Sequence, residues 1–265
     1  PPPAPPRLPP NLTAFISPLS FKFLHINYSG FTLAEVLITL GIVGIVIVMT
    51  LPSLISKYRV KVLQNQFKAS YSLISQAVLN MGIDNPDLNS YYCNNRLDHT
   101  ENIFIKDFAK NFQVVKSDFT SRNDLRNLGY SQSQFYQTSP GKISFNPDSY
   151  NNGAIFLKNG SMIASSGCWW DYGRIDFIVD VNGVKMPNRV GYDVFYFQIG
   201  ADNKLYPSAG NMNLQGSTEE KMVRCCNFQE SGTCLLDTGS SCSLYAIRDV
   251  YPHDKSKGYW DSLRL

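Results

Sequence analysis

An apolar run of 21 residues, from Phe31 to Leu51, constrains the fold of this chain more than any other feature. At about 1.5 Å per residue, a helix of this length spans the roughly 30 Å hydrocarbon core of a bilayer. A helix inside a soluble protein would not normally stay apolar on all sides for so long. The run is therefore predicted to cross a membrane. Its one charged residue, Glu35, needs an explanation, because a charge inside a bilayer costs about 2.5–3.5 kcal/mol.

The composition is that of a folded domain joined to one membrane segment. Of the 265 residues, 43% are hydrophobic and 17% are charged, which is not the composition of a disordered protein. The net charge of +3 is too small to indicate nucleic-acid binding. The sequence contains no Walker loop, H-E-x-x-H, G-x-S-x-G or dinucleotide-binding fingerprint. We therefore expect neither an enzyme nor a bound cofactor.

All six cysteines follow the apolar run, which favours disulfides formed in an oxidising compartment. They are Cys93, Cys168, Cys225, Cys226, Cys234 and Cys242. A zinc site is not expected, because no C-x-x-C pair occurs and the histidines are scattered. Free thiols are the other alternative, and the pairing stays open. The adjacent Cys225 and Cys226 are expected to bond elsewhere and not to each other.

Residues 1–30 are expected to form a leader outside the folded part. They hold 8 of the 15 prolines, and the segment PPPAPPRLPP cannot form a regular helix or a central strand. A secretory signal peptide is the competing interpretation. Its apolar region would precede the cleavage site, whereas here the apolar run follows the small residue Gly30.

The segment G-F-T-L-A-E at residues 30–35, with the apolar run behind it, resembles the N-terminus of type IV pilins and of type II secretion pseudopilins. In that family a prepilin peptidase cuts after the glycine, and the new N-terminal residue, usually Phe, is N-methylated. The resemblance implies that Gly30 precedes the cut and that Phe31 becomes the mature N-terminus. It also implies that Glu35 takes the position of the family's glutamate.

The resemblance further implies a weak point in the helix between Gly44 and Pro52, which match the family's helix glycine and proline. In the family this segment can melt or bend in the filament. Glycine lowers helix stability by about 1 kcal/mol, and proline removes one backbone hydrogen bond. Gly41 and Gly44 would equally suit close packing between helices, and the sequence does not separate the two interpretations.

Glu35 has a candidate partner if the chain is cut after Gly30. The cut would create a positive amine at Phe31, four residues earlier and on the same helical face. Glu35 could neutralise that amine in its own chain or in a neighbour. In low dielectric such a pair is strong, and either charge left alone is costly. A filament of such helices would select the register that makes the pair. The alternative is an acid without function near the membrane surface.

The basic residues around the span contradict this orientation. Lys57, Arg59 and Lys61 follow the span, whereas the nearest basic residue before it is Lys22. The positive-inside rule alone would place the C-terminal domain in the cytoplasm. The cleavage motif and the cysteines place it outside, and we favour that orientation because more independent features support it.

After Pro52 the helix is expected to continue to about Met81, with a stop at Gly82 and Pro86. Residues at alternating spacings of three and four form one amphipathic face. This face comprises Val60, Leu63, Phe67, Ser70, Ile74, Ala77 and Met81, whereas Lys57, Gln64, Lys68 and Gln76 lie off it.

The polar segment 83–150 follows, in which Thr100 would cap a short helix that carries Phe104, Phe108 and Phe112 on one face. Residues 153–206 then indicate four to five antiparallel strands that cover the amphipathic face.

Three signals support that sheet. Asn159-Gly160 predicts a type I′ hairpin. The segment from Arg174 to Met186 alternates around Asn182-Gly183, and Asp193–Ile199 is a further strand. In Cys168-Trp169-Trp170 we expect core and disulfide residues.

Two motifs could carry chemistry, and for both we favour a plain turn. Asp180, Asn182 and Asp193, with Asp176 nearby, could bind calcium through oxygen atoms, but the pattern of an EF-hand is not met. Asp237 begins a D-T-G motif of the kind found in aspartic proteases, whose chemistry needs two such aspartates. Only one D-T-G occurs.

We therefore expect a type IV pilin-like α+β protein with a leader at 1–30, a long helix at 31–82 and a globular head at 83–265. The span would cover about 31–51.

The resemblance implies a single-pass inner-membrane protein with an extracytoplasmic head, later extracted into a periplasmic or cell-surface filament. Its partners would be copies of itself or related pilins, the prepilin peptidase and an inner-membrane assembly platform. A type II secretion pseudopilin and a minor or DNA-uptake pilin are alternatives within this class. A membrane-anchored ectodomain that does not polymerise is the alternative outside it.

Overall fold

The computed structural model describes residues 30–94, 103–121, 125–130, 152–168, 174–208, 218–226 and 241–263. The helices are α1 (Leu33–Asp84), α2 (Leu88–Asn94), α3 (Ile103–Ala109), α4 (Thr218–Cys225), α5 (Cys242–Arg248) and α6 (Tyr259–Ser262), with a 3-10 helix at Leu125–Leu128. The strands are β1 (Val114–Ser121), β2 (Asn152–Leu157), β3 (Met162–Cys168), β4 (Ile175–Asp180), β5 (Val194–Ile199) and β6 (Leu205–Pro207). They form one antiparallel sheet in chain order. The predicted α+β class, a long N-terminal helix with an antiparallel sheet, is confirmed.

The chain divides after Met49 into two compact units, which are described separately. In the first unit, every side chain from Phe31 to Met49 is exposed. Within the part of the chain that the structure describes, α1 is the one helix long and apolar enough to cross a membrane. α1 is helical through Gly44 and Pro52. The weakness expected between them concerns a filament and stays a prediction.

In the second unit, α1 buries the amphipathic face that its sequence spacing predicts. All seven predicted residues are buried: Val60, Leu63, Phe67, Ser70, Ile74, Ala77 and Met81. Phe67 is 2% exposed, and its ring centroid lies 4.4 Å from that of Phe195 on β5 and 5.4 Å from that of Trp260 on α6. This half of α1 is therefore held by aromatic packing on the sheet and on the C-terminal helix.

Gln64 was expected to lie off this face, and that expectation is wrong. Its side chain is 5% exposed. Its Nε2 donates to Asp249 Oδ2 at 3.0 Å, and its Oε1 accepts from Lys61 Nζ at 2.8 Å. A buried amide is stable when it is hydrogen-bonded. Local spacing could not reveal this partner, because Asp249 is 185 residues away along the chain.

Both faces of the sheet are covered. On the face towards α1, Ile175, Phe177 and Val179 join the main core, as their alternation predicts. On the opposite face, Ile178 joins a second cluster with Tyr130 and residues of the 3-10 helix. β4 is therefore buried at every position, as a central strand should be.

The hairpin at Asn159-Gly160 forms, but its turn is not of type I′. Type I′ requires positive φ at both central residues, and only Gly160 has it (φ +91°). The Leu157 N–H donates to the Ser161 carbonyl at 2.8 Å, and the Gly160 N–H donates to the Leu157 carbonyl at 2.9 Å. The loop thus has three residues and ends on a left-handed glycine, which is the next most common way to close a hairpin.

Two further expectations about the sheet are corrected. The alternating segment from Arg174 to Met186 is a strand only as far as Asp180, after which residues 181–193 form a loop that returns as β5. β1 lies in the segment 83–150, which was expected to be a polar loop with one helix. In α3 the expected helix is present, with Phe104 and Phe108 buried.

The residues Thr100, Trp169, Trp170 and Asp237, on which other predictions rest, lie outside the described residues.

One disulfide joins Cys226, directly after α4, to Cys242, the first residue of α5. Cys93 and Cys225 are also disulfide-bonded, and no cysteine among the described residues is free. The prediction that Cys226 bonds elsewhere than to its neighbour is confirmed. Ser243 Oγ, one residue into α5, donates to the Tyr196 carbonyl at 2.7 Å and accepts from the Tyr196 N–H at 3.0 Å. This pair of hydrogen bonds fixes the start of α5 on β5, and the disulfide ties the end of α4 to the start of α5.

Replacing Phe67 by alanine should lower the free energy of unfolding of the head by about 3–5 kcal/mol, because the cavity would lie among buried aromatic rings. Leu79→Ala on the same helix is the matched control. Leu79 is 53% exposed, and its loss should change the free energy by less than about 0.5 kcal/mol. Urea unfolding of the full chain in neutral detergent micelles, followed by tryptophan fluorescence, measures both. Equal effects of the two variants would contradict the packing described here.

Candidate processing and assembly site

The N-terminus of α1 is closed by a reciprocal pair of hydrogen bonds between Thr32 and Glu35. The Glu35 N–H donates to Thr32 Oγ1 at 3.2 Å, and the Thr32 N–H donates to Glu35 Oε2 at 2.8 Å. The Thr32 hydroxyl also donates to Oε2, at 2.9 Å. This is a capping box, in which the residue before the helix and the third helical residue satisfy each other's free N–H groups.

Gly30, Phe31 and Thr32 precede the first helical residue, Leu33. The first helical bond runs from the Val36 N–H to the Thr32 carbonyl at 3.2 Å. The peptide bond between Gly30 and Phe31 is therefore not part of the helix, and the Phe31 side chain is 87% exposed. A β-carbon at Gly30 would meet no atom within 4 Å. The predicted cleavage site thus lies in an open, non-helical segment.

The Glu35 carboxylate keeps acceptor capacity beyond the cap. All of its bonds within the described residues end on Oε2. Its second oxygen, Oε1, accepts no hydrogen bond from a described residue. A carboxylate has about four lone-pair sites, so an additional cationic donor could bind without breaking the cap.

The sequence carries a signal for this cap that is independent of the charge of Glu35. T-x-x-E before an apolar run is the spacing of a capping box, and Thr32 and Glu35 have that spacing. The charge of Glu35 by itself predicts only the pair with an amine. The structure adds a second task for the same carboxylate.

The structure brings together the calcium candidates Asp180, Asn182 and Asp193 in a buried polar cluster. Asp180 accepts from the Tyr130 hydroxyl at 2.9 Å and from the Asn182 N–H at 3.1 Å. Asp193 accepts from the backbone N–H groups of Asn188 and Arg189 at 2.7 and 2.6 Å. These bonds fold the loop 181–193 around two buried carboxylates.

The donors around these carboxylates are not the environment of a calcium ion, which needs oxygen atoms turned inwards. The amides of Asn182 and Asn188 are satisfied when their nitrogens face Asp180, at 2.8 and 3.1 Å. Asp176 is four residues from Asp180 along β4 and binds Arg174 at 3.1 Å. Among the described residues, no group of three or more His, Cys, Asp and Glu side chains could hold a metal. We interpret the cluster as structural, and the calcium hypothesis stays a prediction.

Burial shifts the titration of both carboxyl groups. It raises the pKa of Asp180 well above its usual value, with the charge of Asp193 as the second cause. Burial also raises the pKa of Asp193 to about 7, against the lowering effect of the N–H groups of Arg189 and Asn188. The folded protein therefore holds a proton here at a pH where the unfolded chain, with an Asp pKa of about 3.9, has released it.

Comparison with known proteins gives one match. Residues 26–51 match the family model described as the prokaryotic N-terminal methylation motif. No curated protein and no solved structure matches the chain.

The free energy of unfolding should rise when the pH is lowered from 8 to 5. In this window the folded state binds more protons at Asp180 and Asp193 than the unfolded state does. The slope is at most about 1.4 kcal/mol per pH unit for each extra proton. Urea unfolding of the full chain in neutral detergent at several pH values measures it. Asp180→Asn removes one of the two groups and should flatten the slope.

Asp254→Asn is the matched control for this pH dependence. Ion pairing and hydrogen bonding, first of all with Lys257, lower the pKa of the exposed Asp254 to about 2. The stabilisation from Asp254 is present above about pH 4 and is lost only as the pH falls towards 2. This control should keep the slope between pH 5 and 8. A slope that Asp180→Asn leaves unchanged would contradict the role of the buried pair.

Proposed function

We propose that this chain, whose N-terminal methylation motif is the signature of the type IV pilin and pseudopilin family, is a non-enzymatic subunit of a pilus-like filament. A prepilin peptidase cuts it after Gly30, and Phe31 becomes the methylated N-terminus. α1 anchors the subunit in the inner membrane through its apolar half, with the head outside the cytoplasm. An assembly platform then extracts it into a filament of related subunits.

The match at residues 26–51 carries this proposal, because it covers the cleavage site, the glutamate and the apolar run in one stretch. The geometry supports it in two respects. The bond to be cut lies before the helix, where a peptidase can reach an extended chain. The long helix has an exposed apolar half, which suits both a bilayer and the interior of a helical bundle.

Glu35 supplies the physical reason for a defined register. After the cut, Phe31 carries a positive amine next to Thr32, whose N–H is already bound to Glu35 Oε2 at 2.8 Å. The other carboxylate oxygen remains for an amine of the same chain or of a neighbouring subunit. In an apolar environment, an unpaired charge costs several kcal/mol, so subunits that fail to make the pair are excluded.

Mass spectrometry of the protein extracted from membranes tests the processing step. In cells that contain the peptidase, the chain should begin at Phe31 and carry one methyl group on its amine. In matched cells that lack the peptidase, residues 1–30 should remain attached. A leader that stays on in the first cells would contradict the proposal and favour a membrane-anchored ectodomain.

Two variants separate the capping task of Glu35 from its charge. Glu35→Gln keeps an amide oxygen that can close the capping box, but it removes the negative charge. We expect it to accumulate in the membrane and to enter filaments at least tenfold less than the wild type, by immunoblotting of sheared filaments. Thr32→Ala breaks the cap and keeps the charge, and it should assemble nearly normally.

The opposite pattern would overturn the pairing argument. If Glu35→Gln assembles normally, the charge is not needed. If Thr32→Ala fails as strongly as Glu35→Gln, the cap and not the amine pair is what assembly requires.

A further inference from the structure

A groove in the second unit lies between α1 and the loop 181–193 that connects β4 and β5. Its volume is about 600 Å³. Tyr58 and Arg59 line it from the helix, and Lys185, Met186 and Arg189 line it from the loop. We call these five residues the basic groove. The filament function proposed above assigns it no task.

Asp180 and Asp193 lie close to the loop 181–193, but both are buried, and neither forms an ion pair with a cation of the basic groove. Within the described residues, Arg59, Lys185 and Arg189 form no ion pair, whereas five other basic side chains do. α1 has no Asp or Glu between Glu35 and Asp84. The guanidinium of Arg189 lies 4.3 Å from the ring centroid of Tyr192, which holds it in place. Three cations that converge without a counter-ion favour an anionic ligand.

The same groove also exposes apolar side chains. Tyr58 is 70% exposed and Met186 is 54% exposed, and Val184 on the same loop is 39% exposed. Apolar side chains beside cations are typical of surfaces at the boundary of a bilayer. There, aromatic rings and aliphatic groups enter the headgroup layer while the charged ends stay at the phosphates.

The distance along α1 places Tyr58 and Arg59 next to the headgroup layer. Tyr58 follows Leu51, the end of the apolar run, by seven residues, which is about 10 Å of helix rise. The headgroup layer is about 5–8 Å thick on each side of the hydrocarbon core. With a span that ends near Leu51, the backbone of Tyr58 lies just outside that layer. The side chains of Tyr58 and Arg59 reach back towards it, because side chains on a helix lean towards its N-terminus, which here is the side of the bilayer.

We propose that the basic groove binds the headgroup of an anionic phospholipid in the leaflet on which the head lies. Arg59, Lys185 and Arg189 bind the phosphodiester oxygens, and Tyr58 and Met186 contact the carbon atoms of the headgroup. The inference rests on the membrane anchor in the proposed function, but it does not require cleavage or assembly. It also gives a role to Arg59, one of the basic residues that follow the span on the side where the positive-inside rule does not expect them.

The test uses the full chain in neutral maltoside micelles, titrated with dioctanoyl phosphatidylglycerol and followed by native mass spectrometry. Dioctanoyl phosphatidylcholine has the same acyl chains without net charge, and sodium phosphate supplies the anion without a lipid. We expect phosphatidylglycerol to bind at least tenfold more tightly than phosphatidylcholine. Equimolar phosphate should not displace the bound phosphatidylglycerol.

A pair of double variants, each removing two positive charges, tests the location. Arg59→Gln with Lys185→Gln takes one cation from each wall of the groove. Since each cation near a headgroup contributes about fivefold in affinity, this variant should bind the anionic lipid roughly 25-fold more weakly. Lys68→Gln with Lys158→Gln removes two exposed charges outside the groove and should change the affinity less than about twofold. Circular dichroism of both variants should match the wild type, because all four side chains are exposed.

Four results would overturn the proposal. They are equal binding of the two lipids, displacement of lipid by phosphate alone, and equal affinity of the two double variants. The fourth is a dimer that only the groove variant abolishes, since a second copy of the chain would then occupy the groove. None of them depends on processing at Gly30, so a failed filament function and a failed lipid site give different results.

Discussion

A bilayer offers no hydrogen-bond partner to a polypeptide backbone, so a single segment crosses it as a helix, whose backbone groups bond within the segment. α1 meets this constraint from Leu33 onwards, apart from the one bond that Pro52 removes, and the same helix continues to Asp84 in the head. The head is thus built on a helix whose backbone is already satisfied. The sheet, α3 and α6 have only to cover its apolar face, and Phe67 lies where β5 and α6 meet that face.

At the N-terminus of α1, the Glu35 carboxylate has two tasks, and its negative charge serves both. A helix N-terminus carries free N–H groups and a partial positive charge, which an acid at the third position stabilises. Glu35 is that acid. Its Oε2 accepts from the Thr32 N–H, and its own N–H donates to Thr32 Oγ1. An N-terminal amine at Phe31 would increase the positive charge at the same place. Glu35, which caps the start of the helix, is therefore also suited to bind the amine at the mature N-terminus.

The parts of the fold that depend on local spacing were predictable, and those that depend on distant partners were not. Residues three and four apart placed the buried face of α1 correctly, and the turn signal at Asn159-Gly160 placed a hairpin. The burial of Gln64 depends on Asp249, far along the chain, and no local pattern contains that information.

The same distinction applies to the candidate site and to the loop 181–193. The motif at residues 30–35 was visible because processing is a local event in sequence. The spacing of Thr32 and Glu35 equally predicts the cap, whereas the charge of Glu35 alone predicts only a pair with an amine of its own chain or of a neighbour. The loop could not be predicted from Asn182-Gly183, because Tyr130 and Asp193 determine its course.

The disulfide between Cys226 and Cys242 affects how the head would respond to mechanical force. In the proposed filament, the subunit would transmit tension, and tension follows the shortest covalent path. Between α4 and α5 that path runs through the two sulfur atoms. Tension between α4 and α5 would therefore load the disulfide before the longer covalent path along the backbone from Cys226 to Cys242.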